Sequence, residues 1–207
     1  MIKNILFDFG GVLYDIDFTK AFAAFEKLGF TDFENMYSQH DADTLFQDLE
    51  TGKITPDAFY NRIKAMAPKP VTDEQIKEAW NALLLGFREE SLNYLVELKD
   101  KYNLYLLSNT NKIHFDHFDN QLREQTKYQS LSSFFTKAYY SQDAGFRKPN
   151  MEVFEYIVKD AGINPEETLF IDDSYSNFPN AEKIGMKIHL LQPGERIENV
   201  DLEKYND

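Results

Sequence analysis

The fold of this chain is decided by one stretch near its start, Ile5-Leu6-Phe7-Asp8-Phe9-Gly10-Gly11-Val12-Leu13. A short apolar run is closed by an aspartate and then by two glycines, a pattern typical of a buried strand that ends in a tight turn. Strands that are apolar along their whole length belong to parallel sheets, because helices cover both faces of such sheets. The stretch therefore predicts a central parallel strand that carries a carboxylate at its carboxyl end.

Later segments repeat this pattern and predict the rest of the sheet. Similar apolar runs occur at Leu104–Leu107, Lys137–Tyr140, Leu169–Ile171 and Ile188–Leu191. Between them, apolar residues recur at helical spacing, as in Leu92, Leu95, Val96 and Leu98, and again in Val153, Phe154, Ile157 and Val158 before Gly162. Alternating strands and helices imply right-handed crossovers. We expect an α/β fold with a Rossmann-like, doubly wound parallel sheet.

The stretch from Phe18 to Gly86 interrupts this alternation and contains no convincing strand. It predicts amphipathic helices at Phe18–Leu28, Phe33–Tyr37, Ala42–Leu49, Pro56–Met66 and Asp73–Leu84. A helical insertion after the first strand is best explained as a cap over the carboxyl edge of the sheet. We therefore expect a core domain of residues 1–16 and 87–207 and a helical cap domain of residues 17–86, with a polar tail from residue 194 that frays.

Composition restricts the possible partners and the cellular location. The 207 residues include 22 Lys and Arg against 35 Asp and Glu, which gives a net charge of −13 and no cysteine. This charge argues against a nucleic acid or an anionic membrane surface as partner. Without cysteine there is no disulfide and no thiolate chemistry. We expect a soluble, cytoplasmic protein that acts on a small molecule, and the sequence leaves its oligomeric state open.

Polar side chains follow the predicted strands where ligands bind in open parallel sheets, at the carboxyl ends. They are Asp8, Ser108-Asn109, Lys148 and Asp172-Asp173. Three carboxylates packed together repel one another unless a cation lies among them, and one lysine does not balance them. Carboxylate oxygens suit Mg²⁺, which also binds substrate phosphate. A carboxylate that attacks phosphorus would give an aspartyl-phosphate, so this edge indicates phosphoryl chemistry.

These segments, taken in order, resemble the four motifs of the haloacid dehalogenase superfamily. The motifs are Asp8-Phe9-Gly10-Gly11-Val12-Leu13, Ser108-Asn109, Lys148-Pro149 and Asp172-Asp173-Ser174. The helical insertion resembles the C1-type cap of the phosphatase branch. With Asp15 and Asp17 behind the first motif, the chain is similar to bacterial sugar-phosphate phosphatases of the alpha-glucose-1-phosphatase type. The resemblance implies a Mg²⁺-dependent phosphatase that hydrolyses a small phosphorylated metabolite, with sugar phosphates among the candidates, through an aspartyl-phosphate.

The resemblance also implies a role for each residue of the metal site. Asp8 would be the nucleophile and a metal ligand, and the carbonyl of Gly10 would be a second ligand. Asp173 and Asp172 would supply the remaining acidic groups, one directly and the other through water or as a partner. Which of the two binds the metal directly is left open at this point.

For the phosphate, the resemblance implies Gly11, Ser108 and Lys148 as binding residues, with Asn109 facing the substrate. Lys148 would also act in catalysis by neutralising charge on the phosphoryl oxygens.

One departure from the family pattern affects the chemistry. Most phosphatases of this superfamily carry a second aspartate two residues after the nucleophile as general acid and base, and here that position is Gly10. General acid–base catalysis typically contributes about 10²–10⁴-fold. A leaving group of low pKa needs less protonation, and metal-bound water, Asp15 or a cap residue could substitute for the missing acid. Two alternatives follow: a metal-independent 2-haloacid dehalogenase, or a non-catalytic protein that binds a phosphate ligand.

Other conspicuous residues have simpler explanations. We expect His114 and His117 to be surface or partly packed histidines, because no further ligand accompanies them. Arg147 is expected to form a salt bridge with a carboxylate. Phe18, Phe22 and Phe25 recur at helical spacing and are expected to form the cap core, with some of them lining the substrate pocket.

Overall fold

The computed structural model describes residues 1–38 and 44–206. Within these residues the strands are β1 (Asn4–Phe7), β2 (Tyr14–Ile16), β3 (Leu84–Phe87), β4 (Asn103–Ser108), β5 (Lys137–Tyr140), β6 (Thr168–Asp172) and β7 (Lys187–Leu190). Five of them form a parallel sheet in the order β5-β4-β1-β6-β7. The strand β1 lies at the centre, where Phe7 pairs with Leu106 on one side and Ile171 on the other. The predicted strands are confirmed.

Helices precede, connect and flank these strands. They are α1 (Phe18–Lys27), α2 (Phe33–Ser38), α3 (Leu45–Glu50), α4 (Pro56–Met66), α5 (Asp73–Asn81), α6 (Glu89–Leu98), α7 (Lys112–Gln125), α8 (Ser141–Ala144), α9 (Met151–Ala161) and α10 (Phe178–Lys183). Local signals set several boundaries. The hydroxyl of Thr55 accepts from the amide of Ala58 before α4, and Gly162 ends α9 in the left-handed conformation.

Successive residues of β1 point to opposite faces of the sheet, which places apolar layers on both sides. Ile5 and Phe7 join the larger core with α6 and α7, whereas Leu6 packs into a second cluster that includes residues of α9 and α10. All three side chains are fully buried. The doubly wound α/β architecture is confirmed.

The helical segment between β2 and β3 (residues 18–81) is held together by aromatic side chains. Phe25 of α1 stacks on Phe33 of α2 with ring centroids 3.7 Å apart, and Phe46 of α3 lies 5.3 Å from Trp80 of α5. Aromatic pairs of this kind contribute about 0.5–1.5 kcal/mol beyond their buried area. Contacts between α5 and α7 join the segment to the sheet layer. Its assignment to a separate cap domain stays a prediction.

The expectation that Phe18–Gly86 lacks a strand is wrong at its end. Leu84–Phe87 forms β3, which pairs antiparallel with β2 in a two-stranded ribbon. The helix predicted over Asp73–Leu84 therefore ends earlier, at Asn81. Helical periodicity alone could not distinguish these last residues, because a short apolar run suits either structure. The ribbon connects both ends of the helical segment to the core.

Smaller differences concern helix faces and the tail. Val96 was grouped with the buried leucines of α6, but it is 48% exposed. The expected fraying of the tail is wrong for its apolar residues, since Ile197, Val200 and Leu202 are buried in the larger core. The predicted start of the third helix, at Ala42, lies outside the described residues. None of the described helices has the length and apolar character that crossing a membrane requires.

Candidate active site

Two carboxylates and one ammonium group meet at the carboxyl edge of the sheet. Asp8 directly follows β1, and Asp172 is the last residue of the adjacent strand β6. Lys148, in the loop before α9, donates to Asp8 Oδ1 at 2.5 Å and to Asp172 Oδ2 at 2.8 Å. The lysine side chain is 2% exposed and that of Asp172 is fully buried. The three groups that the sequence placed together therefore form one buried ion-pair network.

Asp173 adds a third carboxylate to this network. One oxygen from each of Asp8, Asp172 and Asp173 lies within 4.8 Å of the other two. Burial, opposed by Lys148 and reinforced by the charge of Asp172, raises the pKa of Asp8 to about 7. Desolvation and then the charge of Asp172 raise the pKa of the Asp173 carboxyl. These raised pKa values show that the cluster has too little positive charge to keep its carboxylates readily ionised. A hard divalent cation such as Mg²⁺ would supply that charge.

The two adjacent aspartates differ in their hydrogen bonds. Asp172 Oδ1 accepts from the amide of Ser174 at 2.8 Å and from the side chain of Asn177, while Oδ2 accepts from Asn177 and Lys148. Among the described residues, no side chain donates a hydrogen bond to the carboxylate of Asp173. Asp172 is thus oriented by the protein, and Asp173 keeps oxygens available for a cation.

Two features of the structure favour glycine at position 11. Its φ of +78° lies in the left-handed region, where L side chains are strained. A Cβ atom built on it would lie 2.0 Å from Asp173 Oδ2. The turn after β1 therefore approaches the acidic cluster with bare backbone. The structure places Gly11 against Asp173, and its predicted contact with phosphate stays a prediction.

Ser108 and Asn109, at the end of β4, have different surroundings. Ser108 is 2% exposed, and its hydroxyl has no hydrogen-bond partner among the described residues. Asn109 Nδ2 donates to the carbonyl of Lys148 at 2.9 Å, and Oδ1 accepts from the amide of Lys148 at 2.9 Å. The asparagine, predicted to face the substrate, thus holds the backbone of the lysine as well as lining the cavity described below. The pair of hydrogen bonds between its side chain and the backbone of Lys148 was not predicted.

Ile16 lies close to the position where the side chain of the missing general acid would begin. A Cβ atom on Gly10 would lie 3.1 Å from Ile16 Cδ1, so a side chain here would require Ile16 to move. Asp15, considered as a substitute acid, instead lies 2.7 Å from Arg88 Nε and 3.6 Å from Arg196.

Arg88 is a residue of the site that sequence reasoning missed. It follows β3 and donates to the carbonyls of Gly11 and Val12, both at 2.7 Å, in addition to Asp15. One guanidinium thus connects the turn after the nucleophile to the ribbon. The motifs gave no signal for it, because its three partners lie 73 to 77 residues earlier in the chain and two of them are backbone carbonyls.

A cavity of about 80 Å³ lies between the helical segment and the ends of β1 and β4. Its lining residues, in chain order, are Phe9, Gly10, Ile16, Phe18, Tyr37, Glu50, Trp80, Leu83, Leu84, Ser108, Asn109, Thr110, His114 and Phe118. Phe18 was expected to line the pocket in part, whereas Tyr37, Glu50 and Trp80 lie outside every motif. Arg147, expected in a salt bridge, lies 2.8 Å from Glu50.

His114 is buried in the wall of this cavity, further from solvent than expected. Its ring stacks on Trp80 with centroids 4.7 Å apart, and Nε2 lies 3.2 Å from the carbonyl of Trp80. Burial lowers the pKa of His114 to about 3, so the imidazole is neutral at physiological pH. His40, which carries no motif, lies outside the described residues.

Comparison with known proteins places this site in a family. The model of the haloacid dehalogenase-like hydrolase family matches residues 2–185. The chain is 37% identical over 198 residues to D-ribitol-5-phosphate phosphatase of Bacteroides thetaiotaomicron, with 94% of each protein covered.

Solved structures give the same result. A HAD family enzyme of Bacteroides thetaiotaomicron, crystallised as wild-type protein with magnesium and inorganic phosphate, is 36% identical, with a TM-score of 0.84 and coverage of 95% of this chain and 98% of that one. A HAD-like hydrolase of Porphyromonas gingivalis is 36% identical, with a TM-score of 0.85 and coverage of 94% and 93%. The chain belongs to the haloacid dehalogenase-like hydrolase family.

Proposed function

We propose that this protein is a Mg²⁺-dependent phosphatase that hydrolyses a phosphate monoester of a small polyol or sugar through an aspartyl-phosphate on Asp8. One observation carries the proposal: three carboxylates and one buried lysine meet at the carboxyl edge of the sheet. The similarity to a D-ribitol-5-phosphate phosphatase and to an enzyme crystallised with magnesium and phosphate supports this substrate and this metal.

The reaction proceeds in two displacements at phosphorus. The carboxylate of Asp8 attacks the phosphorus atom, the bond from phosphorus to the ester oxygen breaks, and the alcohol leaves after taking a proton from water. Water then attacks the phosphorus of the aspartyl-phosphate, which releases inorganic phosphate and a proton and restores Asp8. Two displacements replace one difficult attack by water on the ester.

Four other residues support these steps. Lys148 neutralises charge on the phosphoryl oxygens, and the hydroxyl of Ser108 donates a hydrogen bond to one of them. Gly11 brings bare backbone next to the acidic cluster, while its amide donates to the carbonyl of Tyr14 at 2.8 Å. Asn109 fixes the backbone of the lysine and so limits where its ammonium can lie.

The residues present fit Mg²⁺. Asp8, Asp173 and the carbonyl of Gly10 would hold it directly, and Asp172, whose oxygens are already bonded, would act through water. When bound, Mg²⁺ supplies the positive charge that the carboxylates and the transferring phosphoryl group require.

The two alternatives make different demands on this site. A 2-haloacid dehalogenase uses the nucleophilic aspartate on carbon and needs no metal, whereas here three carboxylates share one lysine. A non-catalytic protein would bind phosphate without turnover. Hydrolysis that stops with EDTA and returns with Mg²⁺ supports the phosphatase. Turnover of 2-chloropropionate that EDTA does not affect would support the dehalogenase.

The experiment that tests the proposal is a phosphatase screen with and without Mg²⁺. Its substrates are polyol phosphates, sugar phosphates, nucleotides and flavin phosphates. We expect release of phosphate from D-ribitol 5-phosphate or a related polyol ester only when Mg²⁺ is present. An absence of turnover over the whole panel would favour the binding protein.

Three further features belong to the proposal. Residues 17–86 act as a cap that closes over the substrate and excludes bulk water. The protein works in the cytoplasm. A net charge of −13 gives no long-range attraction for anions, so the metal and Lys148 supply it locally.

A further inference from the structure

Glu50 is the one charged residue among the described residues that line the cavity, because the neighbouring imidazole of His114 is neutral. It is the last residue of α3, and its side chain is 13% exposed. About half of the wall is apolar, and that half includes Ile16, Phe18 and Trp80. A carboxylate in such a place costs desolvation energy, and its ion pair with Arg147 offsets part of that cost.

The same cavity reaches from the phosphate site to Glu50. Ser108 and Asn109 line it at the end of β4, and Phe9 and Gly10 line it beside the nucleophile. A phosphate ester bound at Asp8 whose alcohol portion enters this cavity meets a wall that includes Phe18, Trp80 and Glu50.

Three contacts fix Glu50 relative to the phosphate site. Arg147, which pairs with it at 2.8 Å, directly precedes Lys148 in the chain. Asn109 holds the backbone of Lys148 through both polar atoms of its side chain, Nδ2 and Oδ1. After α3, Gly52 approaches the carbonyl of Gln142 so closely that a Cβ atom would lie 2.3 Å from its oxygen. The carboxylate is therefore anchored to the same loop that carries the phosphate-binding lysine.

Pairing with Arg147 gives the carboxylate a defined chemical character. A carboxylate in an ion pair with a guanidinium accepts hydrogen bonds and donates none. Hydroxyl groups donate to such an acceptor, whereas a second anion is repelled by it. The aromatic faces of Phe18 and Trp80 suit the carbon skeleton between hydroxyls.

We propose that Glu50 is a specificity-determining residue that accepts hydrogen bonds from the hydroxyl groups of an uncharged polyol leaving group, with Arg147 as its positioning residue. This inference rests on the proposed phosphatase function and adds the group that recognises the alcohol portion. It assigns the helical segment a direct contact with substrate.

The test compares two esters of equal chain length, D-ribitol 5-phosphate and n-pentyl phosphate, which lacks the hydroxyls. The measured quantity is the ratio of their kcat/KM values with Mg²⁺ present. We expect Glu50→Gln to lower this ratio by about 10- to 100-fold, since hydrogen bonds to charged groups contribute more than neutral ones. The double variant Glu50→Leu/Arg147→Met should lower it at least as far.

Two controls separate recognition from a structural effect. Asp48 lies on the same helix as Glu50 and pairs with Lys53 beyond the helix end. It is not among the described residues that line the cavity, so Asp48→Asn should leave the ratio unchanged. The double variant covers the case in which a lone Arg147 destabilises the fold, because apolar replacement of an ion pair is often neutral for stability.

Each other outcome has a definite meaning. An unchanged ratio in both Glu50 variants, or an equal fall in Asp48→Asn, would overturn the role of Glu50. Wild-type protein that hydrolyses both esters equally well would overturn it too, while the phosphatase function would stand. No turnover of either ester with Mg²⁺ would overturn both.

Discussion

At the scale of single residues, the most informative interaction is the double hydrogen bond from Asn109 to the backbone of Lys148. It connects the end of β4 to a loop 39 residues later and so places an ammonium group between Asp8 and Asp172. The position of the lysine therefore depends on a side chain that needs no contact with the reacting atoms.

Replacing this asparagine should impair phosphate binding and turnover together. For Asn109→Ala we expect kcat/KM to fall by about 10- to 100-fold, because the loss of two partly buried hydrogen bonds loosens the lysine. Asn109→Asp keeps the acceptor for the amide of Lys148 and should lose less. Steady-state kinetics with D-ribitol 5-phosphate measures both, and equal activity of Asn109→Ala and wild type would show that Lys148 is placed without it.

His114 gives a residue-scale prediction about stability. Its pKa is about 3 in the fold against 6.5 for an ordinary histidine, so unfolding below pH 6.5 takes up a proton. The stabilising contribution is complete above pH 6.5 and is lost as the pH falls toward 3, by about 1.4 kcal/mol per pH unit. Urea unfolding of wild type and His114→Phe between pH 4 and 7 measures this slope.

The variant His114→Phe should show a smaller loss of unfolding free energy on acidification than wild type. His117→Gln is the matched control on the same helix; because His117 is only partly buried, this change should keep most of the slope. Identical pH profiles for wild type and His114→Phe would mean that the buried imidazole does not contribute.

How far residues of the site could be predicted depends on where their chemistry originates. Asp8 and the Asp172-Asp173 pair lie at the carboxyl ends of predicted strands, so sheet topology brings them together. Lys148 lies in a loop beyond β5, and its place beside them depends on Asn109 as well. Glu50 and Arg88 lie outside the motifs, and their roles depend on how the helical segment and the ribbon pack. That packing is a long-range property that local sequence patterns do not encode.

At the scale of elements, the ribbon of β2 and β3 determines how the helical segment joins the core. Arg88 follows this ribbon and bonds Asp15 at its start and the turn at Gly11 and Val12. Arg88 therefore links the ribbon, which leads into and out of the helical segment, to the turn that approaches the acidic cluster.

Removing this guanidinium should reduce activity without unfolding the protein. We expect Arg88→Met to lower kcat/KM by about 10- to 100-fold and to raise the Mg²⁺ concentration needed for half-maximal activity, since the turn loses two charged hydrogen bonds. Arg123→Gln, which removes an exposed pair with Asp119 on α7, is the control and should be neutral. Equal effects of the two variants would contradict a specific role for Arg88.

The elements themselves were predicted well where one period dominates. The strands of the sheet and the helices α1 and α4 agree with the sequence patterns to within a residue or two. The strand β3 was missed because four apolar and glycine residues after a helix carry no distinct period. The partner β2 that makes them a strand lies about 70 residues earlier.

At the scale of the whole molecule, the acidic cluster couples metal binding to stability. Three carboxylates that share one lysine destabilise the metal-free fold, and a bound cation relieves that repulsion. A ligand that binds only the folded state adds about 2.7 kcal/mol at 100 times its Kd.

Mg²⁺ should therefore raise the unfolding temperature as well as restore activity. For a chain of this length we expect an increase of about 5–10 °C at saturating Mg²⁺ relative to EDTA. Asp173→Asn should abolish most of this increase, because it removes the carboxylate with the fewest other partners. Differential scanning calorimetry gives both values, and an unfolding temperature that does not respond to Mg²⁺ would contradict a metal site at this cluster.

The central claim is that Asp8 is the nucleophile of a Mg²⁺-dependent phosphatase. The measurement that tests it most directly is phosphate release from D-ribitol 5-phosphate by wild type and Asp8→Asn, with circular dichroism to verify that both are folded. We predict turnover by the wild type only with Mg²⁺, and a loss of at least about 10³-fold in the variant, as expected when a nucleophile is removed. A folded Asp8→Asn variant that retains activity within tenfold of wild type would contradict the claim.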